Sequence, residues 1–195
     1  MLVMRNIVRR IILSIMVVSM VVSAFPGLEV KAASKKSKVL KAYASYLKKS
    51  GNEEFAVADL NGDGIPELFT DSTISDIPII YKNNKTARLS ELDWAWGLAY
   101  YPNKNYLMAE RVGAFDDDTQ YARLTKRGDL IWLASRVGDV QFGDERTVKY
   151  EYYVNGKKAT KKKYNAYVKS LEKGAKELKL EFHKNTSANR KKYLG

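Results

Sequence analysis

The sequence predicts an α+β fold in which antiparallel strands form a meander flanked by an N-terminal helix and C-terminal helices. Apolar residues recur at helical spacing near both ends of residues 33–195. Between those ends, short strand-like runs alternate with turn residues and follow one another directly along the chain. No low-complexity linker interrupts this pattern, so we expect residues 33–195 to form one domain.

The first helix is predicted from a single apolar stripe, and Gly51 stands where a helix often ends in a left-handed residue. The stripe consists of Val39, Leu40, Tyr43, Tyr46 and Leu47. Its length predicts a helix of about three turns. The short apolar segment FAVADL follows, and it leads into an acidic loop.

Four β-hairpins are predicted next, each centred on a pair of turn residues. The pairs are Asn83-Asn84, Pro102-Asn103, Arg127-Gly128 and Asn155-Gly156. Thr160 is positioned to cap a following amphipathic helix, with Gly174 just past its end. Thr186 or Ser187 can cap a last short helix.

Residues 1–32 have the features of an export signal: a basic start, an apolar run and a small-residue cleavage site at Val30-Lys31-Ala32. The alternative is an uncleaved N-terminal anchor. We expect a secreted protein with no membrane association after cleavage. The chain contains no cysteine, which excludes disulfides and cysteine-based metal sites.

The acidic loop lies in the stretch FAVADLNGDGIPELFTD, and its spacing predicts a Ca²⁺ site. An EF-hand loop supplies oxygen ligands from positions 1, 3, 5, 7 and 9, with glycine at position 6. Counted from Asp59, these ligands are Asp59, Asn61, Asp63, the carbonyl of Ile65, and Glu67. Gly64 occupies position 6. The alternative is a solvated turn, because Asn, Asp and Gly favour turns by themselves.

The residues after the loop depart from a complete EF-hand. Thr70 stands where position 12 would be a bidentate Glu, and Asp71 comes one place late. Pro66 has no N–H to bridge a paired loop. The segment ELFTDST is strand-like, whereas an EF-hand would continue into a helix. A structural ion is therefore expected, and a sensor that opens a helix pair is not.

The loop resembles the DxNGDGxxEL calcium loops of extracellular modules such as dockerin repeats and FG-GAP propeller blades. More widely, the chain resembles a group of uncharacterised secreted proteins from anaerobic Gram-positive bacteria. That resemblance rests on the first helix, FAVADLNGDGIPELF, the aromatic hairpins, and the segments VNGKKATKKKYNAYVKSLEKG and FHKNTSANRKKYL. It implies an extracellular location and a structural calcium ion.

The formal net charge is +12, and the positive charge is concentrated in residues 146–195. Such a basic region attracts polyanions, of which an anionic cell-wall polymer is the expected one for an exported protein. The alternative is an ordinary solvated lysine surface. Nucleic acid is not expected, since stacking aromatics do not alternate with the lysines. The candidate polyanion-binding residues are Lys157, Lys158, Lys161, Lys162, Lys163, Arg190, Lys191 and Lys192.

Trp94 and Trp96 are predicted to share one face of a strand, where they could stack on a glycan or fill the core. Asp116 to Asp118 are predicted to form a hairpin tip, and His183 has no nucleophile motif to serve. No carboxylate pair is marked by its neighbours, so catalytic residues are not assigned.

The sequence thus favours a secreted calcium-stabilised domain that binds a cell-wall polymer or an extracellular protein. The alternative is a secreted hydrolase of cell-wall or dietary glycan.

Overall fold

A computed structural model describes residues 26–70, 77–113, 116–142 and 146–195. The chain divides into two units, residues 1–38 and residues 39–195. Residues 1–25, which carry most of the predicted export signal, lie outside the described residues. Within the described ranges, no helix combines the length and apolarity needed to cross a bilayer.

Three α-helices are described. Helix α1 ends at Ser50 as expected, but it begins at Pro26, well before the apolar stripe that predicted it. The cap predictions for the other two are confirmed: the Lys163 N–H donates to the Thr160 side chain and the Asn189 N–H donates to Thr186. The helices are α1 (Pro26–Ser50), α2 (Lys161–Glu172) and α3 (Ser187–Leu194).

The strands form two antiparallel sheets. The first, in the order β11-β1-β2-β3-β4, contains β1 (Glu54–Ala58), β2 (Glu67–Thr70), β3 (Ile79–Lys82), β4 (Lys85–Arg88) and β11 (His183–Lys184). The second is a six-stranded meander in chain order, made of β5 (Gly97–Tyr101), β6 (Tyr106–Val112), β7 (Asp117–Leu124), β8 (Leu130–Phe142), β9 (Arg146–Val154) and β10 (Lys157–Ala159). The predicted α+β class with antiparallel strands is confirmed.

The predicted single sheet is divided in two by the segment between β4 and β5. This segment contains a 3₁₀ turn (Ser90–Leu92), and its side chains Leu89, Leu92 and Ala95 are buried. These residues lie in the core between the two sheets. The chain therefore passes from the first sheet to the second within this segment. The alternating pattern of the strands contains no signal for this exchange of sheets.

All four predicted hairpins are present, as β3–β4, β5–β6, β7–β8 and β9–β10. Two of them show the reason for their turn residues. Asn83 and Asn84 have φ of 52° and 61°, and Asn155 and Gly156 have φ of 51° and 72°. Asn and Gly adopt this left-handed region at lower cost than other residues, and a two-residue hairpin turn requires it.

Residues 39–195 pack in four layers around three apolar clusters. The first cluster lies between the two sheets and includes Phe69, Ile80, Tyr100 and Leu107. The second joins α1 and α3 to the first sheet. The third joins α2 to the outer face of the second sheet. Each sheet therefore contacts the other on one face and helical residues on the opposite face.

The chain returns from the second sheet to the first after α2. The Leu178 N–H donates to the Tyr100 carbonyl at 2.7 Å, and Leu178, Leu180 and Phe182 pack against the cluster between the sheets. Residues 183–184 then pair with β1 as β11. This crossing segment adds the fifth strand of the first sheet, which the sequence did not predict.

Phe69 provides a test of the core between the sheets, because its side chain is fully buried there. Phe69→Ala should lower the free energy of unfolding by about 3–5 kcal/mol through lost burial and a cavity. Denaturant unfolding at fixed calcium measures the change. The control Val112→Thr, at a residue that is 55% exposed, should change stability by no more than about 0.5 kcal/mol. Equal effects of the two variants would contradict the assigned core.

Candidate metal-binding loop

The predicted calcium loop connects two adjacent strands of the first sheet. β1 ends at Ala58 and β2 begins at Glu67, and these two residues are directly paired. Residues 59–66 therefore form a long hairpin loop. The strand after the loop confirms that this segment does not continue into a helix as an EF-hand does.

Asp59 accepts hydrogen bonds from three backbone N–H groups across the loop. Its Oδ1 receives the N–H of Gly62 at 2.8 Å and that of Asp63 at 3.2 Å. Its Oδ2 receives the N–H of Gly64 at 2.8 Å. Gly64 has φ +80°, a conformation that L side chains rarely adopt, so a residue with a side chain would strain this turn.

Asn61 and Glu67 lie inside the loop, with exposed fractions of 7% and 6%. The Leu60 N–H donates to Glu67 Oε2 at 2.8 Å, and the Asn61 amide donates to Glu67 Oε1 at 3.1 Å. Asn61 Oδ1 accepts the Asp63 N–H at 3.0 Å, and Asp63 Oδ1 accepts the Ile65 N–H at 2.9 Å. The loop thus joins all four predicted ligand side chains in one hydrogen-bonded network.

Burial raises the pKa of the Glu67 carboxyl to about 8, and the negative charges of Asp63 and Asp59 act in the same direction. The Leu60 N–H opposes this shift because it stabilises the ionised form. Burial also raises the pKa of the Tyr43 hydroxyl, with further contributions from Glu67 and Asp63. Tyr43 on α1 is therefore close enough to experience the charge of the loop, which the sequence did not indicate.

No basic side chain among the described residues forms an ion pair with Asp59, Asp63 or Glu67. Acidic residues elsewhere do have such partners: Asp93 pairs with Arg88, and Asp129 with Lys82. Within the described ranges, Asp59 and Glu67 accept hydrogen bonds from backbone N–H groups and from the Asn61 amide. A cation would therefore relieve repulsion here.

The donor set fits a hard, oxygen-preferring cation, provided that it includes neutral oxygens. In the described residues, no three acidic or histidine side chains are grouped closely enough to hold a metal by themselves. A calcium ion would therefore need the Asn61 amide oxygen and the Ile65 carbonyl beside the carboxylates. The carboxylate oxygens would have to bind the ion while they also accept hydrogen bonds from their present N–H donors.

The loop makes a long-range hydrogen bond that the sequence did not indicate. The Asn61 amide also donates to the Thr125 carbonyl, at 3.3 Å, in the turn between β7 and β8. The Thr125 hydroxyl in turn accepts the N–H of Asp129, whose carboxylate pairs with Lys82. The loop of the first sheet is thereby attached to a turn of the second sheet. The partner of Asn61 is a backbone carbonyl 64 residues away, so no residue type or spacing in the sequence indicates this contact.

The eight candidate polyanion-binding residues form two separate groups. Lys157 to Lys163 lie on β10 and the first turn of α2, next to the second sheet, whereas Arg190 to Lys192 lie on α3, which packs on the first sheet. Arg190 is part-buried and donates to the carbonyl and side-chain oxygens of Asn185, so it holds the chain locally. Lys158 pairs with Glu151. Three lysines, Lys161 to Lys163, are exposed at the start of α2 without an ion pair among the described residues.

Trp94 and Trp96 do not share a strand face, so that prediction is wrong. Both lie in the turn before β5. Trp94 packs against the cluster between the sheets with the Arg111 guanidinium 5.9 Å from its ring centroid, whereas Trp96 is 54% exposed. Trp94 and Trp96 follow the 3₁₀ turn and precede β5, so the alternation of side chains along a strand does not apply to them.

The acidic run Asp116 to Asp118 is placed only partly as predicted, since Asp116 alone lies in the connection of the β6–β7 hairpin. Asp117 and Asp118 lie within β7 and form ion pairs with Arg136 and Arg111, at 2.8 and 3.4 Å. They are structural groups of a strand and not the tip of a hairpin. Three surface cavities in the described part of the chain are lined by no Asp or Glu, so none of the three offers the carboxylate pair of a glycoside hydrolase.

His183, the single histidine, is part of β11 and packs between aromatic rings. Its ring stacks on Tyr193 with centroids 3.9 Å apart and meets the edge of Phe55.

Comparison of the chain with models of protein families, with curated proteins and with solved structures gives no match.

Glu67 gives the loop a specific dependence on pH in the presence of a chelator. Its carboxyl is protonated in the folded state up to about pH 8 but ionised in the unfolded chain above about pH 4.5. The contribution of this group to stability should therefore be complete below about pH 4.5 and be lost as pH rises to about 8. Glu67→Gln should remove this slope, which chemical unfolding across that pH range measures. The exposed control Glu177→Gln should keep it, and an unchanged slope in Glu67→Gln would contradict the assignment.

Proposed function

We propose that this protein is a secreted domain stabilised by a structural calcium ion, and that it acts as a binding module at the bacterial cell surface. The observation that carries the proposal is the hydrogen-bonded network that joins Asp59, Asn61, Asp63 and Glu67, whose three acids have no basic partner among the described residues. A turn requires only local Asx hydrogen bonds, whereas Glu67 adds a third, buried acidic group whose ionised form is unfavourable without a countercharge. Calcium supplies the countercharge in this proposal.

The proposed ligands are the carboxylates of Asp59, Asp63 and Glu67, the amide oxygen of Asn61 and the carbonyl of Ile65. Water would complete a shell of six to eight oxygens. Because the loop joins two strands of the first sheet and contacts the β7–β8 turn, the ion would rigidify the place where the sheets meet. The proposed role of calcium is therefore stability of the fold.

Calcium should raise the thermal stability of the protein. With an affinity typical of extracellular modules, a Kd of about 10⁻⁴ M, about 1 mM calcium adds about 1.4 kcal/mol of stability. This corresponds to an increase in Tm of about 3–6 °C. Calorimetry of the protein in calcium and in chelator measures the shift. Asp63→Ala should abolish it, and the control Asp129→Asn, in an acidic residue outside the loop, should retain it.

The calcium proposal would be overturned by equal melting temperatures in calcium and in chelator. It would also be overturned if Asp63→Ala melted with the same calcium-dependent shift as the unchanged protein. Magnesium at the same concentration should give a smaller shift, since Mg²⁺ requires a smaller and more regular ligand shell than an eight-residue loop with a buried Glu provides.

The proposed partner is an anionic polymer of the cell wall, and the exposed lysines at the start of α2 are the best placed to contact it. Lys161, Lys162 and Lys163 are successive, exposed and located where the positive end of the helix dipole adds to their charge. No acidic residue occupies the first turn of this helix. Binding of this kind is electrostatic and does not require a deep pocket.

Binding to immobilised wall teichoic acid should decline steeply with salt, because the screening length falls from about 10 Å at 0.1 M to about 3 Å at 1 M. The triple change of Lys161, Lys162 and Lys163 to Ala should reduce retention. A matched triple change of the exposed Lys85, Lys126 and Lys149 removes the same charge elsewhere and should reduce it less. Equal losses of retention in the two triple variants would show that net charge, and not this surface, determines binding.

A further inference from the structure

The second sheet carries a cavity that belongs neither to the calcium loop nor to the lysine surface. It has a volume of about 300 Å³ and is lined by Gln120, Trp132, Ala134, Ser135, Tyr153 and Gly156. This volume is at the lower end of the range for small-molecule sites, about 300–1,000 Å³. All six lining residues are uncharged, so the cavity suits a neutral ligand.

The strand register shows why these side chains meet. Gln120 on β7 pairs with Ser135 on β8, and Ser135 pairs with Tyr153 on β9, so the three project from one face of the sheet. Trp132 is three positions from Ser135 and would face the opposite side in a regular strand. A register shift opposite Tyr121 and Ala122 pairs Trp132 with Ala122 and returns it to the face of Ser135. Bulges of this kind redirect a side chain.

Three of the polar side chains that line the cavity have no hydrogen-bond partner in the part of the chain that the structure describes. Among the described residues, neither the Gln120 amide, the Ser135 hydroxyl nor the Trp132 indole N–H makes a hydrogen bond, and all three side chains are only half-exposed. Half-buried amides, hydroxyls and indoles usually bond to protein or to water. Three of them around one cavity can instead supply donors and acceptors to a bound polar molecule.

The aromatic rings of the cavity are held in place by other contacts. Trp132 packs against the cluster between the sheets. The Tyr153 hydroxyl donates to Glu151, which also accepts a hydrogen bond from Lys158. Since Tyr153 and Lys158 are paired across β9 and β10, this exposed acid–base pair restrains the Tyr153 hydroxyl from outside the cavity. Rigid aromatic rings lose little conformational entropy when a ligand binds.

From these features we infer that the cavity binds a neutral sugar residue of a glycan, with Trp132 and Tyr153 as apolar contacts and Gln120 and Ser135 as hydrogen-bonding groups. A sugar ring presents apolar C–H surface and several hydroxyls, which match aromatic rings beside an amide and a hydroxyl. A phosphate or carboxylate ligand would lack a basic partner in the lining. The inference does not depend on calcium binding, and it assigns sugar contact to Trp132 where the sequence suggested Trp94 and Trp96.

The test uses the indole N–H signals of the ¹⁵N-labelled protein in saturating calcium. The chain has three tryptophans, so single Trp→Phe variants assign the three signals. Cellohexaose, xylohexaose, mannohexaose and N-acetylchitohexaose are each added at millimolar concentration. The Trp132 signal should shift with at least one of them, and the Trp96 signal should not. No shift with any of the four, or a shift confined to Trp96 or Trp94, would overturn the inference.

Two variants measure the polar contacts without removing core residues. Gln120→Ala and Ser135→Ala should each weaken the affinity about two- to tenfold, as expected for one hydrogen bond. The control Trp96→Ala, at an exposed residue outside the cavity, should leave the affinity unchanged. Unchanged affinity in both cavity variants would contradict the assigned site. Repeating the titration in chelator at a temperature where the protein stays folded separates this result from the calcium proposal, because sugar binding should persist there.

Discussion

The structure depends most on the buried carboxylate of Glu67 at the start of β2. A carboxylate that is only 6% exposed is costly unless its oxygens are satisfied, and here the Leu60 N–H and the Asn61 amide satisfy them. The same Asn61 amide reaches the Thr125 carbonyl, so the polar cluster fixes the first sheet to a turn of the second. A change at Glu67 would therefore affect the loop, the strand register and the junction of the two sheets together.

Charge is handled in two different ways in this protein. Asp117 and Asp118 lie opposite arginines, which neutralise them within the second sheet. The loop acids Asp59, Asp63 and Glu67 have no such partner among the described residues and are held by N–H donors. Dipoles stabilise an isolated carboxylate, but they do not cancel the repulsion among three neighbouring acids, which contributes to the raised pKa of Glu67. This difference is the physical basis for the proposed calcium ion.

The two sheets also have different roles. The first sheet carries the loop between β1 and β2 and is covered by α1 and α3 on the face opposite the second sheet. The second sheet has six strands, one more than the first. Only part of the face that packs against the first sheet is apolar. Gln120, Ser135 and Tyr153 continue that face as half-exposed polar and aromatic residues. The proposed ion and the proposed sugar thus occupy separate parts of the unit formed by residues 39–195, so each can be tested without the other.

The sequence by itself determined the fold class, the four hairpins, both capped helices and the local arrangement of the loop. These features depend on neighbours along the chain: Asn155-Gly156 sets a turn, Thr160 caps a helix, and alternating oxygens with Gly64 turn a loop. Only the tertiary structure decided that there are two sheets, that Trp94 is packed while Trp96 is exposed, and that Trp132 faces Gln120. The physical reason is that the buried β4–β5 segment, the bulge in β8 and the Thr125 carbonyl act through packing and strand register. Packing and register bring together residues that are far apart in the sequence, and no periodic pattern in the sequence indicates such pairs.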